Sequence, residues 1–167
     1  MSRVITFSRT FPATHPRKGE PTFFVERIWK SLYKLNLTGD ALDVCINNYF
    51  KEVGELLAYN DIANTKYHTV RSGRRWKVGD KFSPRVWSGK PYCSKQIIIA
   101  PDIEIKKIYK FECDINGVFS IDDIYVDVTS MDVPANDGLS TEDFLNWFPV
   151  DNPFSGQIIC WDENIEY

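Results

Sequence analysis

The apolar positions of this chain keep two different periods. Near its start RVITFS alternates as a short strand does, and the Pro-rich basic loop RTFPATHPRKGEP follows. Phe24, Ile28, Leu32 and Leu35 then recur at helical spacing, which predicts an amphipathic helix over 21–35. Pro21 falls in its first turn, where a missing N–H does no harm. Gly39 interrupts the pattern, and Asp40 is placed to cap a second helix. The apolar line of that helix runs Leu42, Cys45/Ile46, Tyr49/Phe50, Val53 and Leu56/Leu57.

After about residue 60 the period shortens. KYHTVR, DKFSPRVWS, KQIIIA, EIKKIYKFECD and VFSIDDIYVDV read as strands, with turn signals at Ser72-Gly73, Gly79-Asp80, Gly89-Lys90-Pro91 and Asn116-Gly117. In NDGLSTEDFLNWF, Ser140 and Asp143 have capping-box spacing, and Leu139 and Phe144 are set as a hydrophobic staple. GQIICW is a last strand. The pattern predicts an α+β protein, a small mostly antiparallel β-barrel with flanking helices. Residues 1–60 are expected to form a strand and two-helix extension packed on a barrel of residues 61–167, in one compact domain.

Composition agrees with a globular chain: 43% hydrophobic and 26% charged residues over 167 positions are enough to bury a core. The net charge of −3 conceals a strong asymmetry. Residues 1–110 hold 20 basic and 10 acidic side chains, whereas 111–167 hold 13 acidic ones and no Lys or Arg. Between Lys66 and Lys95 nine basic residues face Asp80 alone. A positive face for phosphates is compatible with such a chain, and so is pairing of its basic and acidic parts with each other. Cys45, Cys93, Cys113 and Cys160 form no C-x-x-C pair, and His15 and His68 are the only histidines. No metal site, no cofactor and no disulfide framework is expected, and free thiols fit a cytoplasmic protein. MSRVITFSRTF has no signal-peptide core and no apolar run reaches membrane-spanning length, so no membrane partner is expected.

Three features carry candidate chemistry: K-x-x-T-x-R, formed by Lys66, Thr69 and Arg71; the turn-and-strand segment WKVGDKF; and Asp137, in a Gly-containing loop before the capped helix. Thr69 and Arg71 share one face of a strand, while Lys66 has the opposite parity and belongs before the regular strand. Around them Arg74, Arg75, Lys77, Arg85, Trp87, Lys90 and Tyr92 combine cations for phosphates with aromatic planes for bases. Arg85 and Trp87 are spaced to point the same way. Trp76 is expected in the core. His68 has no neighbouring metal ligands and reads as a structural histidine or a hydrogen-bonding neighbour of the cleft.

In order and spacing, these motifs resemble the ASCH domain, a branch of the PUA-like superfamily of small β-barrels, over roughly residues 64–161. The resemblance implies a cleft that recognises a nucleobase-containing ligand, in RNA or as a modified nucleoside or nucleotide. It also implies an alternative, because some small ASCH proteins are amidohydrolases that deacetylate cytidine acetylated on its exocyclic amine. Carried over, Lys66 activates Thr69 and Asp137 is the acid/base, where the family enzymes carry Glu. Arg71 either lowers the lysine pKa, stabilises an oxyanion, or pairs structurally with the acidic part. A third option is a protein-interaction module that offers its acidic part to a basic partner.

Overall fold

The computed structural model describes residues 3–54 and 63–167. In chain order the elements are β1 (Arg3–Phe7), α1 (Phe24–Lys34), α2 (Asp40–Val53), β2 (His68–Ser72) and β3 (Lys81–Trp87). Then come β4 (Gln96–Ile98), β5 (Ile103–Glu104), β6 (Lys107–Cys113), β7 (Phe119–Ile121) and β8 (Ile124–Val126). A 3₁₀ turn, α3 (Val133–Asn136), α4 (Thr141–Leu145) and β9 (Phe154–Cys160) complete the series. The protein is α+β, with its strands in two sheets. The described residues form no closed barrel: β1, β3, β4 and β5 make one sheet, and β2, β6, β7, β8 and β9 the other. No helix among them is long and apolar enough to cross a membrane.

Two compact units are present. The first comprises Met1–Ala13, Arg17–Ala63 and Lys81–Glu104. In it β3 is central, with β1 parallel along one edge and β4 and β5 antiparallel to it. Helix α1 buries Phe24, Ile28 and Leu32, as the spacing predicts, and Trp29 beside them, whose indole N–H donates to Ile99 O at 2.6 Å. Leu35, the last position of the predicted line, is the half-buried residue that ends the helix. The helix begins three residues later than Pro21. Thr22 N donates to Arg9 O, and Pro21 bridges Thr10, so the chain is still extended there. Gly39, not Asp40, holds the N-cap position of α2, and Asp40 sits in its first turn, where a carboxylate favours the helix dipole. Leu42, Ile46 and Tyr49 are buried, while Leu56 and Leu57 of the same line lie outside the described residues.

The second unit comprises Thr14–Pro16, Asn64–Asp80 and Ile105–Tyr167. Its sheet is antiparallel throughout, in the order β2-β9-β6-β7-β8. One face carries the core: the rings of Phe111, Phe119, Phe144 and Phe148 lie with centroids 5.1–6.3 Å apart. Ser140 caps α4 by accepting from Asp143 N at 3.1 Å, and both staple residues, Leu139 and Phe144, are buried. Trp76 is core, its backbone held at both ends by the Gln157 amide.

Candidate functional site

The K-x-x-T-x-R segment enters β2 from an irregular stretch, and this resolves the parity of its lysine. Regular pairing with β9 starts at His68, opposite Cys160. Lys66 lies just before it, in an isolated antiparallel bridge with Asp137. Tyr67 N donates to Asn136 O at 2.7 Å, and Trp161 N donates to Tyr67 O at 3.1 Å. The segment is thus stitched between the loop after α3 and the end of β9. Asp137 ends α3, its N–H bonded back to Val133 and Pro134, and Gly138 with φ 78° turns the chain away.

Lys66 and Asp137 meet directly. Lys66 Nζ donates to Asp137 Oδ1 at 2.5 Å and to Asp137 O at 2.8 Å. Both residues are buried, 1% and 8% exposed, so this is an ion pair taken out of water. Two further basic side chains face the same carboxylate. His68 Nε2 is 3.7 Å from Asp137 Oδ1, and the Arg71 guanidinium is close enough to interact electrostatically. His68 Nδ1 is 2.6 Å from the Tyr167 hydroxyl, and that hydroxyl accepts from Asn136 Nδ2 at 3.0 Å.

Burial dominates the electrostatics here. It raises the Asp137 carboxyl above the ordinary aspartate range, although Lys66 and Arg71 pull it down. Burial, helped by the Lys66 charge, holds the His68 imidazole well below its usual value, so at neutral pH it is uncharged. The Arg71 guanidinium is lowered to about 10 by burial and by Arg75, against the pull of Asp137, and stays a cation. Cys160 is pushed up to about 12 by burial and stays a thiol. The result is a donor-rich nest around a single carboxylate: two cations and a neutral imidazole.

The sequence-expected residues divide. Lys66, Arg71 and Asp137 come together. Thr69 is buried on β2 opposite Ile159, outside the hydrogen-bonded group that joins Lys66, Asp137, His68, Tyr167 and Asn136. Arg74, Arg75 and Lys77 follow in the same unit and are exposed. Arg74 pairs with Glu112 at 3.2 Å, and Arg75 lies 5.6 Å from the Trp76 ring. Arg85, Trp87, Lys90 and Tyr92 belong to the first unit. There Arg85 donates to Ser83 Oγ and Gln96 Oε1, and the Trp87 and Tyr92 rings are tilted at 5.3 Å, with Tyr92 89% exposed.

Two members of the cluster, Asn136 and Tyr167, carry no sequence motif, and a third, His68, reads from sequence as a structural histidine or a hydrogen-bonding neighbour of the cleft. The one available signal is spacing: Lys66 and His68 are two apart, the repeat that sends side chains to one side of an extended chain. Among the described residues no group of three or more His, Cys, Asp or Glu side chains is arranged to hold a metal ion. No protein-family model, no curated protein and no solved structure matches the chain.

Proposed function

We propose that this chain is a nucleobase-recognition protein of the ASCH type, whose ligand, RNA or a modified nucleoside or nucleotide, is read by the donors grouped around Asp137. The observation that carries this reading is the buried contact of Lys66 with Asp137, side chains 71 residues apart in the chain. The motif resemblance pairs these two positions. Burying such a pair contributes little to stability, since desolvation offsets the Coulomb attraction. A perturbed carboxylate beside two cations is characteristic of sites that bind or react. The same reading includes a PUA-like fold, with the motif carried by the five-stranded antiparallel sheet.

Calorimetric titration with cytidine, cytidine acetylated on its exocyclic amine, and a short single-stranded RNA tests it. At least one is expected to bind, with Lys66→Met and Asp137→Asn each weakening binding by about tenfold or more, the worth of a charge-assisted hydrogen bond. Arg74→Ala is expected to leave nucleoside binding unchanged. If folded parent protein binds none of the three at millimolar concentration, the reading is wrong.

The same contact favours a second reading, deacetylation of the modified cytidine. Lys66 and Asp137 stand in hydrogen-bond contact, the geometry that proton transfer between them needs, and the reading further requires Lys66 to turn to Thr69. Chromatography of acetylated cytidine incubated with the protein is then expected to show cytidine, and Thr69→Ala to abolish it. Product formed equally well by Thr69→Ala removes the hydroxyl from the chemistry.

A further inference from the structure

The donors around Asp137 are not equivalent. Lys66 Nζ holds both the carboxylate and the backbone oxygen, whereas His68 Nε2 stands 3.7 Å from Oδ1, beyond hydrogen-bond range. Nε2 is fully buried and has no hydrogen-bond partner among the described residues. Buried polar groups almost always have partners, so a lone one needs a physical reason. The far side of the ring supplies it. Asn136 Nδ2 donates to the Tyr167 oxygen, an arrangement that favours the phenol proton pointing to His68 Nδ1. Burial pushes the Tyr167 phenol far up, so it keeps that proton. With the phenol proton so placed, Nδ1 accepts, and the neutral imidazole carries its own proton on Nε2, 3.7 Å from Asp137 Oδ1.

We propose that His68 is a reserve hydrogen-bond donor to Asp137, taking over the carboxylate when Lys66 turns to a ligand, with Asn136 and Tyr167 holding its ring in the required tautomer. The inference rests on the functional reading above. Moving Oδ1 by less than about 1 Å brings it into N–H···O range, a shift that rotation of one carboxylate supplies. Without that donor, releasing Lys66 would leave the Asp137 carboxylate with the Arg71 charge but without the hydrogen bond that Lys66 supplies, a cost that favours the resting pair. His68 is thus a positioning residue, acting on the ligand through Asp137. Asp137 and Tyr167 face its ring, the Lys66 charge acts on it, and Arg71 acts on the same carboxylate. Cys160 lies opposite it in the ladder, and Lys107 and Tyr109 of β6 hold the segment that bears Tyr167.

Imidazole nitrogen NMR decides this without any ligand. In the parent, Nε2 is expected to be protonated and Nδ1 to be a hydrogen-bonded acceptor. In Lys66→Met the Nε2 proton is expected to move downfield as it closes on Asp137, and the ring to take up a second proton at higher pH than in the parent. Lys66→Gln serves if the methionine variant does not fold. Titration with the cytidine nucleosides adds the functional arm: His68→Phe is expected to weaken binding by about 10- to 100-fold, and His68→Gln, with an amide donor near the Nε2 position, to restore most of it. An Nδ1–H tautomer in the parent, or an Nε2 proton that responds to neither lysine variant, overturns the proposal. Absence of nucleoside binding by the parent overturns the functional reading instead, and the imidazole spectra still decide the role of His68.

Discussion

Burying Lys66 with Asp137 removes two charges from water, and each then depends on the other. Removing one partner leaves an uncompensated buried charge, at a cost of about 3–5 kcal/mol, whereas replacing both by apolar groups is often neutral. Lys66→Met or Asp137→Leu alone is therefore expected to lower the denaturant-unfolding free energy by about that amount, and the double variant to lie near the parent. A double variant as unstable as the worse single one would mean that the pair is a stability element. His68 sets a second expectation. Its folded value is depressed, so its contribution is complete above the ordinary histidine value and is lost as pH falls below it, because the unfolded chain gains a proton that the buried ring refuses. Stability is expected to drop with a slope of up to about 1.4 kcal/mol per pH unit below about pH 6.5, and His68→Gln to flatten that slope. Asp137 has the opposite sign: its raised value means that stability falls as pH rises through the range just above the ordinary aspartate value. Lys66 and Asp137 were legible in the sequence because a motif flags them. His68, Asn136 and Tyr167 were not, because their meeting depends on how the turn after α3 and residues 165–167 settle beside β2.

Element by element, what could be read locally was read well. The Ser140 cap and the burial of Phe24, Ile28 and Leu32 on α1 depend on nearby residues alone, and the structure has both. VFSIDDIYVDV, by contrast, folds back on itself as β7 and β8 around a turn at Asp122-Asp123, and EIKKIYKFECD is divided between β5 and β6. Partner choice depends on distant residues. β1 runs parallel to β3, with Arg3 opposite Phe82, and this pairing separates the strands into two sheets where a single barrel was expected. The pairing that positions the site is β2 with β9, and Gly156 is its tightest point. A Cβ there would lie 2.1 Å from Arg71 O and 2.8 Å from the Phe154 ring. A backbone oxygen inside a ladder cannot withdraw alone, so Gly156→Ala is expected to push β2 off β9, costing about 3 kcal/mol or more and loosening Arg71 and Lys66 with it. Gly89→Ala is the contrast. Its nearest neighbour would be Ser94 Cβ at 3.5 Å, an ordinary contact, so its melting temperature is expected to stay within a few degrees of the parent. A Gly156→Ala protein as stable as Gly89→Ala would show that β2 can shift without loss.

Across the whole molecule the charge asymmetry of the sequence is partly spent inside one unit. Within the second unit Arg74 and Lys110 both reach Glu112, at 3.2 and 3.1 Å, Lys107 reaches Glu166 at 3.6 Å, and Lys66 reaches Asp137. The basic stretch that opens as a candidate grip on a nucleic acid strand is itself divided: its residues through Asp80 belong to the second unit and those from Lys81 to the first. Several of its cations are therefore already engaged, and the charges nearest the site are buried. This bears on the size of the ligand. A strand that binds through 6–10 phosphates loses about 10³–10⁵ in affinity between 50 and 200 mM salt, because each contact releases counterions. A nucleoside read by buried donors displaces no such atmosphere, and screening by salt hardly reaches buried charges. Nucleoside affinity is accordingly expected to change by less than about threefold over that salt range, and an oligonucleotide, if bound, to gain little over its best single nucleoside. Repeating the calorimetric titrations at the two salt concentrations checks this. A steep salt slope that disappears in a combined Arg74→Ala, Arg75→Ala, Lys77→Ala variant would instead assign the exposed cations to a strand and make the buried cluster one reading point along it.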